Sequence, residues 1–274
     1  MGRASGSSEL PSALGGHVSS TGKRIVAKVA AIVAVSSSIF ALSATSATAS
    51  PVSAVALAEP QPSPPACSPP SLAHCYTKAT MRNYIDRVLP MVTQFFRAEY
   101  KAMPEPSHYY FIAEGQRIRA ACQNGDDDYL DANVYAYCPA DHNIYLGQAM
   151  VWRFYNEDGD VAPVIGLAHE WGHNIQSRAG VPMPANNIES VKYENQADCV
   201  AGAWIQYADQ QKWLESEDYS SITKLVKDIA SAESADRDHG NLEERNNAMS
   251  LGIRNGLPAC NKFYPATPII TSRD

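Results

Sequence analysis

Apolar positions along the chain fall into two kinds of pattern. In "TKATMRNYIDRVLPMVTQFFRAEY", residues 77–100, Met81, Tyr84, Ile85, Val88, Leu89, Val92, Phe95 and Phe96 recur at three- and four-residue steps, the spacing that gathers side chains on one face of a helix. Pro90 interrupts the backbone donors of this run and is where a kink is expected. The pattern then changes. "HYYFIAEG" and "NVYAYCPADHNIYLG" are rich in Tyr, Ile and Val, and "CPADHN" supplies turn residues between two short runs, so strands with a hairpin are predicted. Helical spacing returns near residue 160, with Asp160 as the expected N-cap, Pro163 in the first turn and Gly180 followed by Pro182 at the end. Val164, Leu167, Ala168 and Trp171 form the stripe this helix buries. A second helix is predicted from about Glu189 to Asp209, with Ala197, Val200, Ala201, Trp204 and Ala208 inward. A third aligns Ile222, Leu225, Val226 and Ile229, and a fourth starts at Asn241, which Glu244 completes as a capping box.

The N-terminal part reads differently. Lys23, Arg24 and Lys28 precede an apolar run from Val29 to Leu42, followed by "SATSATAS". That is the plan of a secretory signal peptide over residues 1–49, cleaved after Ala47-Thr48-Ala49; the alternative is an uncleaved anchor facing outside. Residues 50–70 form a proline-rich spacer, with seven prolines between Pro51 and Pro70, and the folded domain is expected over 71–274. Without residues 1–49 the chain keeps 18 basic and 28 acidic side chains, a net charge of −10. This argues against nucleic-acid or anionic-membrane partners, which call for clustered Lys and Arg. Nothing downstream of the leader is apolar enough to remain inserted in a bilayer. The acidic stretch "QNGDDDYLD" lacks the glycine and terminal glutamate of an EF-hand loop and reads as solvated surface.

The chemistry sits in "LAHEWGHNIQ". Residues four apart on a helix lie one turn above each other, so His169 and His173 can reach one metal ion. Glu170 is rotated by about 100° from His169 and stands beside such an ion, where a general base takes a proton from an activated water. A hydrolytic zinc site needs a third protein ligand. Glu194, in "YENQADCVAG", is the candidate, since the turn-forming residues before it let the second helix fold back on the first. Asp198, one turn further, is placed to accept the outer N–H of a ligand histidine. Tyr193, Tyr145 and His239 are the candidates for stabilising an oxyanion, and the residues alone do not choose among them. His74, His108 and His142 are expected in loops or at the surface. Six cysteines in an exported chain suggest three disulfides, with fifteen connectivities open.

"HEWGHNIQ" and "ENQADCVAGAW", with "YCPADHNIYL" before and "DHGNLEER" after, resemble the bacterial neutral zinc metallopeptidase family over roughly Tyr76 to Tyr264. The pairing of His-Glu-x-x-His with Glu-x-x-Ala-Asp is similar to the gluzincin peptidases. The resemblance implies an α+β, zincin-like domain, mainly helical, with a small antiparallel sheet or hairpin before the active helix. It also implies one zinc ion per chain on His169, His173 and Glu194, with Glu170 as base and Asp198 behind the ligands. The strand at Ile144 to Leu146 is implied as the sheet edge on which a peptide substrate lies. The family's cysteines near 122, 138, 199 and 260 favour pairing Cys122 with Cys138 and Cys199 with Cys260; Cys67 with Cys75 rests on proximity. Asn174 stands where relatives usually carry another histidine. The expected function is that of a secreted zinc peptidase acting on peptide or protein substrates. The rival readings are an exported, zinc-stabilised peptide-binding module and a metal hydrolase of other amides, of which deformylases take a cysteine as third ligand. Oligomeric state is left open.

Overall fold

The computed structural model describes residues 67, 70–100, 102–122 and 129–271. The expected leader, the spacer up to residue 66 and residues 123–128 of the acidic stretch lie outside them. The periodic run before residue 100 is helix α1, Met81–Glu99, which buries Met81, Tyr84, Ile85, Val88, Val92, Phe95 and Phe96. It continues through Pro90 as one helix. Among the described residues the architecture is α+β, mainly helical with one three-stranded sheet.

The sheet departs from expectation in two ways. Strands β1 (Tyr109–Ile112), β2 (Tyr135–Cys138) and β3 (Asn143–Gly147) are ordered β1-β3-β2. β2 and β3 form the expected antiparallel hairpin, with Tyr137 opposite Ile144, but β1 pairs with β3 in parallel, so the sheet is mixed and not antiparallel. The segment Ile144 to Leu146 is therefore central and is not an edge. Both its rows of backbone groups are taken, and all five residues of β3 are buried. β2 is the edge on that side. The Val134 carbonyl accepts from Gly147 N–H (2.7 Å) and the Cys138 carbonyl from His142 N–H (2.8 Å), so the alternate residues Tyr135 and Tyr137 aim their backbone groups away from the sheet. A parallel partner more than thirty residues upstream leaves no trace in hairpin spacing.

After β3 come α2 (Gln148–Arg153), a π-helical turn (Phe154–Asp158), α3 (Ala162–Ala179), α4 (Asn187–Gln210), α5 (Ser216–Ile229) and α6 (Leu242–Asn255). α3 ends at Gly180, in the left-handed region at φ 75°. Its N-cap is Val161 and not Asp160. The Asp160 carboxylate instead accepts the Leu72 N–H at 2.9 Å, and its carbonyl accepts the Tyr84 hydroxyl. A buried donor from a segment 88 residues away has claimed the side chain, and a local capping rule does not register it. α4 is capped by Asn186, whose side chain accepts from Glu189 N–H at 3.0 Å. α6 has the reciprocal box read from the sequence, with Asn241 and Glu244 each accepting the other's N–H at 2.9 Å.

The core lies between α1, α3 and α4, where Phe96 stacks on Trp171 with ring centroids 4.4 Å apart. α3 and α4 meet at Gly172, where an added Cβ would lie 3.0 Å from Ala197 Cα. α4 and α6 meet more closely still: a Cβ on Gly202 would lie 2.1 Å from the Met249 carbonyl oxygen, and one on Gly252 1.9 Å from that of Cys199. Disulfides join Cys67 to Cys75, Cys122 to Cys138 and Cys199 to Cys260, the pairings expected. Among the described residues no helix is long and apolar enough to cross a membrane.

Candidate metal centre

α3 and α4 bring three side chains to one point. His169 Nε2 lies 3.1 Å from His173 Nε2 and 3.1 Å from Glu194 Oε2, and His173 Nε2 lies 3.5 Å from the same Glu194 oxygen. One ligand atom from each falls within 4.8 Å of the others, and among the described residues this is the one such group of three. The small residues inside the two motifs explain the approach. Gly172 precedes His173, and Ala197 is one turn from Glu194, so the helices touch backbone to backbone beside the ligands.

Each histidine is oriented by its outer nitrogen. His169 Nδ1 is 2.9 Å from Asp198 Oδ1, and His173 Nδ1 is 2.8 Å from Gln176 Oε1. Partners of this kind set the tautomer that turns Nε2 inward as a ligand. Gln176 is itself held, donating to the Tyr193 carbonyl at 2.8 Å and to Gln196 Oε1 at 3.0 Å. Glu170 points beside the cluster, and its Oε2 accepts the Tyr137 N–H of β2 at 2.7 Å. The sheet edge and the prospective base are thus in contact.

The electrostatics suit a divalent cation. Glu170, Glu194 and Asp198 are buried carboxylates, and Arg245, also buried, donates to Asp198 Oδ1 at 3.0 Å. With all three carboxylates ionised, they and Arg245 leave two negative charges, which a 2+ ion would cancel. Without a cation the histidines are drawn toward their charged forms: burial opposes charge on His169, but Asp198 and Glu194 outweigh it and lift its pKa to about 10. His173 is raised in the same way against burial, mainly by Glu194. Burial would lift Glu194, yet His173, His169 and His239 hold it well below the carboxylate range. Glu170 is pushed up, first by burial, with His173 and His169 pulling against that. A bound metal displaces the imidazole protons.

The three oxyanion candidates separate. Tyr145 lies elsewhere: its ring packs with Ile112, Ala120 and Cys138, and its hydroxyl donates to Asp141 Oδ2 at 2.7 Å. The alternation of side chains along β3 sends it away from α3. Tyr193 stacks on the His173 ring, with centroids 5.3 Å apart and planes 9° from parallel, which buttresses the ligand. His239 is at the centre, its Nε2 3.4 Å from Glu194 Oε2 and its Nδ1 2.8 Å from Asp238 Oδ1. Gly240 admits this loop, because a Cβ there would lie 2.6 Å from Asn195 Oδ1. Asn174 is fully buried and its side chain donates to the Pro104 carbonyl at 3.0 Å, not to a prospective ligand. All six cysteines are in disulfides, which removes a thiolate ligand of the deformylase kind.

Two residues of the site, Gln176 and Arg245, were given no role in the sequence reading, although each closes a stretch that carries the family resemblance, "HEWGHNIQ" and "DHGNLEER". Arg245 falls in line with Ala248, Met249 and Gly252 on the buried stripe of α6, and a charged residue on such a stripe requires a partner.

The family model described as "Putative neutral zinc metallopeptidase" matches residues 3–241. That span begins well before the Tyr76 to Tyr264 resemblance, takes in every prospective ligand and His239, and stops short of Arg245. The uncharacterized protein YpfJ of Escherichia coli K12 is 29% identical over an alignment of 156 residues, covering 46% of this chain and 53% of that protein. The uncharacterized protein Rv2575 of Mycobacterium tuberculosis H37Rv is 29% identical over 162 residues, covering 47% of this chain and 55% of its own length. The chain thus spans about half the length of the curated relatives it matches. No solved structure gives a significant match.

Proposed function

This chain belongs to the neutral zinc metallopeptidase family, and we propose that it is a secreted, zinc-dependent peptidase with a zincin-like active site. The observation that carries the reading is the convergence of His169, His173 and Glu194 within 4.8 Å, with Glu170 alongside and not among them. His169, His173 and Glu194 would hold one zinc ion, which when bound supplies the Lewis acidity that makes water a nucleophile near neutral pH and polarises a carbonyl. Export is supported by the leader-like residues 1–49 and by three disulfides, which persist in oxidising compartments.

The chain's own residues then divide the work. An extended peptide adds to the edge of β2, pairing with the outward backbone groups of Tyr135 and with the Tyr137 carbonyl, while the Tyr137 N–H is held by Glu170; main-chain pairing of this kind needs few side-chain contacts. Glu170, half a step from that edge, takes the proton of the attacking water and passes it to the leaving amine. Burial favours its neutral form, which suits a group that must take up a proton and then release it. His239, as the imidazolium with Nδ1–H donating to Asp238, faces the ligand cluster with Nε2–H and donates it to the carbonyl oxygen as that oxygen gains charge. Asp238 fixes the His239 ring through Nδ1.

The test compares zinc content by elemental analysis with hydrolysis of an unstructured protein substrate in wild type, Glu170→Gln and Glu194→Ala. Wild type should carry about one zinc, Glu170→Gln should keep it while kcat/KM falls by about 10²- to 10⁴-fold, and Glu194→Ala should lose the metal. Zinc without hydrolysis in wild type would favour the peptide-binding module, and wild type that takes up no zinc at neutral pH would overturn the reading.

A further inference from the structure

We propose that Arg245 is a positioning residue of the metal centre, holding Asp198 so that Asp198 in turn holds His169. The inference rests on the three-ligand reading above and adds a residue from α6, an element that none of the ligands occupies.

Asp198 is poorly fixed without it. Its Oδ1 accepts from His169 Nδ1 at 2.9 Å and from Arg245 Nη2 at 3.0 Å, while its Oδ2 has no hydrogen-bond partner among the described residues. Remove the guanidinium, and the carboxylate keeps one hydrogen bond, to the imidazole it orients. No other hydrogen bond then fixes its rotation about its own side-chain bonds or the tilt of the ring. Arg245 is anchored from behind, where Nη1 donates to the Ile229 carbonyl at 3.2 Å, at the end of α5. It is also tied to the His239 loop, since a Cβ on Gly240 would lie 2.8 Å from Arg245 Cγ.

The site's charge leads to the same residue. Arg245 is the guanidinium buried against these carboxylates, only 4% exposed, and a buried guanidinium is costly unless it is paired. The glycine contacts of Gly202 and Gly252 bring α6 close enough to α4 for the pair to form. A purely structural clamp between the two helices would use the same contact, so stability alone does not discriminate.

The experiment measures zinc affinity at pH 8 by competition with a chromophoric chelator, with the thermal midpoint of the metal-free protein recorded in parallel. The variants are Arg245→Met, Arg245→Lys, Asp198→Asn, the Arg245→Met/Asp198→Asn double variant, and Met249→Ala as a buried α6 control. Arg245→Met should weaken zinc binding about tenfold, the lower end for loss of a partner behind a ligand. Arg245→Lys, which keeps the charge but not the fork, should weaken it about threefold. The double variant should bind zinc no more weakly than Asp198→Asn, because both substitutions cut the same chain. Met249→Ala should melt earlier with its zinc affinity unchanged. Wild-type affinity in the arginine variants, alongside a lowered midpoint, would reduce Arg245 to a helix clamp and overturn the proposal. So would additive losses in the double variant. Should Arg245→Met not fold, unchanged affinity in Arg245→Lys overturns it equally. Absence of zinc binding in wild type would instead strike the metal-site reading itself.

Discussion

At the scale of single residues, the site separates into the three side chains that converge on one point and the groups that face them. His239 is the informative case. Its Nε2 lies 3.4 Å from Glu194 Oε2, yet it falls outside the set whose ligand atoms share a 4.8 Å neighbourhood. We propose that an imidazole so placed acts on the substrate oxygen and not as a ligand. His239→Gln is therefore expected to keep about one zinc per chain and to lower kcat by about 10²-fold, the scale of losing one oxyanion donor. Elemental analysis beside steady-state kinetics checks both halves. Loss of zinc would make His239 a ligand, and full activity would remove it from the mechanism. Tyr193 and Tyr145 show how little residue type decides alone: one stacks on a ligand ring, and the other lies in a separate small cluster with Ile112 and Cys138.

At the scale of elements, the site depends on how closely three helices approach. Ligands come from α3 and α4, while His239 and Arg245 flank the start of α6, so α6 must lie against α4 for the site to be complete. Gly202 and Gly252 allow this, and neither carries a positive φ; the constraint is space. Gly202→Ala would drive a Cβ to 2.1 Å from the Met249 carbonyl oxygen. The expected cost is about 3 kcal/mol, the upper range for overpacking. Gly180→Ala makes the complementary control, because its Cβ meets nothing within 4 Å and only the φ of +75° is strained; about 1 kcal/mol is expected there. Urea unfolding of the two variants measures the difference, and a Gly202→Ala protein as stable as Gly180→Ala would show that α4 and α6 yield more readily than their contact suggests.

At the scale of the whole molecule, the N-terminal segment is bound to the far end of α3. Leu72 donates to Asp160, and the Tyr155 hydroxyl donates to the Leu72 carbonyl and accepts the Cys75 N–H. Leu72, Asp160 and Asp218 line one hollow with Trp204 and Trp213. Burial raises Asp218 to about 6, the Glu215 N–H opposes this, and Asp160 adds repulsion. A carboxylate whose folded pKa lies above its unfolded value near 4 contributes stability at low pH that is lost as pH rises through about 6. Asp218→Asn can still accept from Glu215 and removes the ionisation cost. In metal-free protein it should raise the thermal midpoint at pH 8 by about 3 to 5 °C, corresponding to about 1 to 2 kcal/mol, and change it little at pH 4. Equal gains at both pH values would assign the effect to packing.

The long helices, the caps at Gly180 and Asn241 and the identity of the prospective ligands were legible in the sequence, because helix periodicity, capping and four-residue spacing are local and act within one or two turns. The disulfide partners came from the family resemblance and, for Cys67 with Cys75, from proximity, since a pairing such as Cys199 with Cys260 spans 61 residues. The meeting of Glu194 with two histidines was an expectation that only the contact of Gly172 with Ala197 could realise. What lay beyond local reading depends on distant segments competing for the same group. Leu72 took the Asp160 carboxylate from its helix, β1 took the outer side of β3 and left β2 as the edge, and Arg245 reached Asp198 across 47 residues. Each is a hydrogen bond between groups far apart in sequence, which no local pattern encodes, so only the tertiary structure decided which strand is the sheet edge and which groups stand behind the prospective ligands.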